Sequence, residues 1–201
     1  WMSVDFLGML ILKIEFGEKM IFYKGQFVDL KVLEERDIYE SNWLGWFNDE
    51  KLCYENGHHY FPNTINKQKI FLENLDKDKK LQLGIIDKQS PKEICGVISL
   101  QNIEYIHRKA EIACISDNSL TSSKLQIYLE SHCLMFKHAF NQLGLNKVYG
   151  GTINKNIPGA MKRAFNFEIE GVLKQAMYKN GIFQDVIMLA VFKDTIKYPI
   201  L

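Results

Sequence analysis

Residues 138–156 read HAFNQLGLNKVYGGTINKN, and the rest of the chain is ordered around this stretch. Its first part closes a helix. Across residues 123–143, Leu125, Leu129, His132, Phe136, Phe140 and Leu143 recur at spacings of four and three, an apolar stripe with one histidine in it. Gly144 predicts the stop, because glycine takes the left-handed conformation that ends a helix without a steric penalty. NKVYGGTI then reads as a strand and IPGAMKRAF as a short helix.

Upstream, QFVDLKVLE alternates apolar and polar residues, as a half-buried strand does. ERDIYESNWLGWFND is helical or irregular, and TINKQKIFLENLDKD reads as a helix beginning near Asn63 or Thr64. LQLGIID, EICGVISLQNIEY and KAEIACIS are three successive strand candidates divided by short polar or proline-containing turns. Downstream, EIEGVLKQAMYKNGIFQDVIMLAVF predicts a hairpin turning at Asn180-Gly181. The order is strand, helices, three strands, helix, strand, helix, two strands. No internal repeat, low-complexity tract or linker interrupts it, so an α/β (α+β) domain is expected over residues 20–201. Residues 1–19, WMSVDFLGMLILKIEFGEK, stand apart. The apolar run from Phe6 to Leu12 is too short to span a membrane, and neither a basic segment nor a small-residue cleavage site flanks it. It reads as an N-terminal extension or as residues added ahead of a natural start at Met20, with an added edge strand, LILKIEF, as the alternative.

With 201 residues, 47% hydrophobic and 24% charged, the composition is that of a globular chain able to bury a sizeable core. A net charge of +1 gives no reason to expect nucleic acid or an acidic membrane as the main partner. Cys53, Cys95, Cys114 and Cys133 form no metal-like spacing and read as reduced core thiols, which favours a cytoplasmic setting. No metal is expected either. His132 and His138 fall on different faces of their helix, and His58-His59 lacks a partner motif.

The order of elements and the text on them resemble the GNAT superfamily of N-acetyltransferases. GQFVDLKVLEERD at the start, WFND at 46–49, the stretch at 138–156 and FNFEIEGVLKQAMYKNGIFQDVIML carry the likeness, which covers roughly Lys24 to Lys193. The text is most similar to the branch that acetylates ribosomal-protein N-termini and amino-sugar nucleotides. The resemblance implies one mixed, mostly antiparallel sheet of about seven strands flanked by helices. It also implies acetyl-CoA as co-substrate, an amino-sugar nucleotide or a protein N-terminus as acceptor, and leaves a homodimer open.

Acetyl transfer from a thioester requires a neutral amine, so a base must take a proton from the ammonium. The resemblance implies Glu111, on the fourth strand of the family pattern, as that base. Its own strand shares a face with Ala113 and Ile115, and partial burial would raise a carboxylate's pKa; the alternative is a rim glutamate paired with Lys109 or Arg108. Where relatives carry an acidic tyrosine this chain has Lys162, which stabilises a thiolate or is simply a solvated helix lysine. Cofactor contacts are implied at Ile115, Ser123, Lys124, Gln126, Asn154 and Asn156, with capping of the following helix as the alternative for the two asparagines. Lys155 and Arg163 are further cations near that site. The aromatic segment WLGWFNDEKLCYENGHHYFPNT offers Trp46, His58, His59 and Tyr60 to the acceptor, unless these rings only roof the core.

One stretch departs from the family. The turn ISDNSLTSSKLQIYLE, residues 115–130, opens a helix where relatives carry glycines that let backbone amides cradle a pyrophosphate. Gln126 and Tyr128 occupy those glycine positions, and Ser123 with Gln126 forms a capping-box pattern that would use the same amides. Tyr128 is expected to crowd the phosphates. Two classes therefore stand, an acetyl-CoA-dependent N-acetyltransferase and a non-catalytic or altered-donor binding protein of the same fold.

Overall fold

The computed structural model describes residues 19–75, 77, 79–117 and 124–201, with the Lys124 side chain excepted. Two strands open the described chain, β1 (Ile21–Lys24) and β2 (Val28–Val32), followed by the short helices α1 (Asp37–Glu40) and α2 (Trp43–Trp46) and by α3 (Ile65–Asn74). Then come β3 (Leu81–Asp87), β4 (Gly96–Glu104), β5 (Lys109–Ser116) and α4 (Lys124–Lys137). The chain ends with β6 (Lys147–Thr152), α5 (Ile157–Phe165), β7 (Glu168–Lys179) and β8 (Ile182–Phe192).

The strands form one eight-stranded sheet in the order β1-β2-β3-β4-β5-β6-β8-β7. Every neighbouring pair is antiparallel except β5 and β6. The strand beyond the expected seven is IFYK, β1, which pairs with β2 across a turn at Gly25. That turn is fixed from outside. The buried Glu130 carboxylate on α4 accepts the backbone N–H groups of Gln26, Phe27 and Val28 at 2.6, 2.6 and 2.8 Å. A side chain at position 25 would collide with it: a Cβ there would lie 2.7 Å from the Glu130 carboxyl carbon and 2.5 Å from the Val28 carbonyl.

Each face of the sheet is covered. On one side α4 and α5 pack Ile127, Phe136, Phe140 and Phe165 against Leu30, Ile98, Leu100 and Val148. On the other, the segment carrying α1 to α3 closes a second core of Leu33, Ile38, Trp43, Trp46, Ile86, Ile94 and Val97. The Lys31 ammonium is buried on β2 and satisfied by Asp37 at 2.8 Å and Glu34 at 3.1 Å, so the second core holds a charge only as part of an ion pair.

Local chemistry sets the element ends. Thr64 is extended and its hydroxyl accepts from Lys67 N–H, starting α3 where the sequence placed it. Gly144, at φ +63°, ends the long helix, whose last turn widens to a π turn over His138–Gln142. Asn166 takes the left-handed C-cap of α5, a position open to asparagine after glycine. Asn180 and Gly181 both have positive φ, the requirement of the tight hairpin turn expected there. The apolar stripe of α4 is corrected at its start: Leu125 is 64% exposed, and the buried row runs instead from Ile127 and Tyr128 through His132 and Phe136. Among the described residues no helix is long and apolar enough to cross a membrane.

Candidate active site

The one parallel pairing creates the site. β5 and β6 are in register only at Lys109–Lys147, Ala110–Val148 and Glu111–Tyr149. β5 then runs on to Ser116 and β6 to Thr152 with no further ladder between them. A fork opens in the sheet, and the β5 arm presents an unpaired strand edge on that side. Such an edge can pair an extended, amide-bearing ligand as it would another strand. Small residues line the β6 arm. A Cβ on Gly150 would lie 3.3 Å from the Ile112 carbonyl oxygen, and one on Gly151 would strike Val186 Cγ1 at 2.8 Å.

On the face covered by the α1–α3 segment, the β5 arm floors a cavity of about 610 Å³. Val97, Ser99 and Gln101 of β4, Ala113 and Ile115 of β5 and Gln82 of β3 form its floor. Lys67, Gln68 and Phe71 of α3 wall it, and residues 56–63 roof it. Asn48 holds the roof's far end through a reciprocal pair: its Nδ2 donates to the Asn63 carbonyl at 2.9 Å and its Oδ1 accepts Asn63 N–H at 2.8 Å. Among the described lining residues are two lysines, Lys67 and Lys80, and no carboxylate. Desolvation lowers the pKa of His58, helped by Lys179 and Lys80, so its ring is neutral at pH 7. Cys114 also borders the cavity, but burial pushes its thiol up to about 12. It is not a thiolate nucleophile.

Glu111 lies at the closed end of the fork, half-buried, on the face it shares with Ala113 by strand alternation. Its carboxylate accepts from Asn102 Nδ2 at 2.9 Å, whereas Lys109 pairs with Glu104 at 3.2 Å. Gln101, its ladder partner, and Ala113 both line the cavity, so Glu111 borders the cavity without being part of its lining. Beside it on β6, Tyr149 has its pKa raised by burial first and by the Glu111 charge second.

Four of the expected residues meet here: His58, His59, Tyr60 and Ile115 line the cavity. Others do not. Trp46 is only 1% exposed and belongs to the second core, because the short helix α2 turns its indole inward. Lys162 points away on the exposed side of α5, where Glu168 pairs with it at 3.3 Å. Asn154 and Asn156 organise the turn into α5. Asn154 Oδ1 accepts Asn156 N–H at 2.9 Å, its N–H donates to Thr152 Oγ1, and its Nδ2 donates to Glu55 at 2.8 Å. Asn156 occupies the N-cap without a side-chain cap bond. Gln126 is exposed at the start of α4, while Ser123 and the Lys124 side chain lie outside the described residues.

Tyr128 lies one turn into α4 and contacts α5. It is half-buried, its ring lies 4.0 Å from the His132 ring and its hydroxyl donates to Met161 Sδ at 3.7 Å. The ring packs between α4 and α5. Composition and motif did not single out Lys67, Lys80 or the floor residues Ser99 and Gln101. Ser99 and Gln101 are placed by strand register, and Lys67 and Lys80 by how α3 and the connection to β3 lie over the sheet.

No family model matches the chain. It is 26% identical over 102 residues to YdaF of Bacillus subtilis, provisionally named a ribosomal N-acetyltransferase; the match covers 50% of this chain and 54% of that protein, about half of its length. Solved structures match over more of their length. A spermidine N-acetyltransferase from Vibrio cholerae, in complex with CoA and spermine, superposes with a TM-score of 0.71 at 20% identity, covering 85% of this chain and 98% of that one. The ribosomal L7/L12 α-N-protein acetyltransferase RimL gives a TM-score of 0.69 at 21% identity, over 88% and 96%. Mycobacterium smegmatis RimJ, in complex with CoA-disulfide, gives 0.70 at 18%, over 83% and 82%. The fold is that of the GNAT acetyltransferases.

Proposed function

We propose that this chain is an acetyl-CoA-dependent N-acetyltransferase acting on a primary amine. The observation that carries the reading is the juxtaposition of fork and cavity: the open β5 edge that can seat an extended amide-bearing donor is also the floor of the pocket that can seat an acceptor. The solved relatives that bind CoA share this fold. In the reaction, Glu111 or a water it holds takes a proton from the acceptor ammonium. The neutral amine attacks the thioester carbonyl, a C–N bond forms, the C–S bond breaks, and the leaving thiolate takes up a proton to give CoA and the amide. Lys162 is exposed and paired with Glu168, so water is the proton donor we favour for the thiolate.

The acceptor we favour is an amino-sugar nucleotide, ahead of a protein N-terminus. Tyr60, His58 and Phe61 offer faces and edges for a sugar or base, and Lys67 and Lys80 suit a phosphate-bearing molecule. A polyamine would carry its cations into a described lining that has lysines and no carboxylate. That substrate class is therefore not transferred from the Vibrio cholerae enzyme.

The test is twofold. Acetyl-CoA at about a hundred times its Kd should stabilise the fold by about 2.7 kcal/mol, seen as a raised Tm. An amine panel should then show a nucleotide-linked amino sugar outperforming N-terminal peptides. Peptide acetylation with sugar nucleotides ignored transfers the assignment to the ribosomal type; no thermal shift with acetyl-CoA supports the binding-protein reading instead.

A further inference from the structure

We infer that Lys179, at the tip of the β7–β8 hairpin and remote from the fork, is a positioning residue that holds the acceptor-pocket roof closed. The residue is 7% exposed, and its ammonium reaches across to the segment that roofs the cavity. It donates to the Cys53 carbonyl at 2.9 Å and to the His58 carbonyl at 2.6 Å, and lies 4.2 Å from the centroid of the Tyr60 ring. Among the described residues no carboxylate is paired with it. A buried ammonium without a counter-ion is a costly way to fill space, and an aliphatic side chain would do that better. What only the cation supplies is simultaneous attachment of two carbonyls and a ring on one loop. Two neighbouring contacts act in the same sense: Tyr60 Oη donates to the Tyr178 carbonyl at 2.7 Å, and Gln184 Nε2 to Tyr54 Oη at 3.1 Å. Without the clasp, the loop would have to be ordered anew each time an acceptor binds, and that ordering would be subtracted from affinity.

The kinetic half of the test rests on the acetyltransferase reading; the structural half does not. Amide hydrogen exchange of the free protein should quicken about tenfold or more across residues 53–63 in K179M, with β4 and β5 unchanged. With the best amine of the panel, K179M should raise acceptor KM about tenfold, equivalent to about 1.4 kcal/mol, and move kcat and acetyl-CoA KM by less than about twofold. K179R, which keeps a cation, should lie near wild type on both measures. Unchanged exchange across residues 53–63, or equal rises in both KM values, overturns the assignment. If wild type acetylates nothing, exchange still decides the clasp while the activity reading fails separately. If K179M does not fold, K179Q, which keeps a hydrogen-bond donor and loses the charge, replaces it in the same measurements.

Discussion

Glu111 shows how much one side chain owes to its register. Alternation along β5 sets the face it occupies, and its ladder partner Gln101 sets the cavity beside it. Among the described residues Asn102 is the side chain that donates to its carboxylate, so the group keeps lone pairs for an amine proton. If it is the base, E111Q should lower turnover by roughly a hundredfold at neutral pH and leave acetyl-CoA affinity as it was. Steady-state kinetics with calorimetry checks this; unchanged turnover would remove Glu111 from the mechanism. Lys162 makes the contrast. Its exposed pairing with Glu168 predicts that K162M changes kcat by less than about twofold.

Helix α4 is the element on which reading by motif and reading by packing diverge. Matched to a phosphate-binding pattern, Tyr128 stands where a glycine belongs. Matched to the helix period, it stands four residues before His132 and eight before Phe136, in the row that faces α5 and the sheet. In the structure the ring packs against His132 and Met161. Y128A should therefore cost roughly 3 kcal/mol of stability, at the low end for losing a core aromatic, measured by urea denaturation. Q126G separates the two effects. Its side chain is exposed, so it should cost only about 1 kcal/mol. It should also tighten CoA binding if the glutamine competes for the helix-start amides; calorimetry showing weaker binding would make Gln126 a cofactor contact.

At the scale of the whole molecule, burial of neutral imidazole ties folding to pH. His132 is fully enclosed between α4 and α5, and burial drops its pKa to about 4. Burial lowers His58 and His138 in the same direction. Above the unfolded value near 6.5 both states are neutral and the full stability is present. As pH falls from about 6.5 towards 4, the unfolded chain binds a proton that folded His132 refuses, so stability is lost, by about 3 kcal/mol over that window. Urea midpoints at pH 7 and pH 5 should differ clearly in wild type. In H132F the difference should shrink; an equal acid loss in both would place the sensitivity elsewhere.

The elements themselves were legible in the sequence because they are local. Thr64 starts α3, Gly144 ends the long helix, and Asn180-Gly181 turns the hairpin, each through the conformations that one or two residues permit. The order of strands and helices, read along the chain, sufficed for the fold, apart from IFYK as an eighth strand that only its pairing with β2 reveals. The aromatic segment puts His58, His59 and Tyr60 on the cavity, but the same reading held Trp46, whose burial depends on which way a four-residue helix is turned by the core beneath it. Tertiary structure alone decided the fork between β5 and β6, the lysines facing the cavity and the reach of Lys179 to a loop more than a hundred residues earlier. Backbone preferences act within a few residues, whereas a site is made by side chains brought together across the sheet, and their register is set by the packing of the whole molecule.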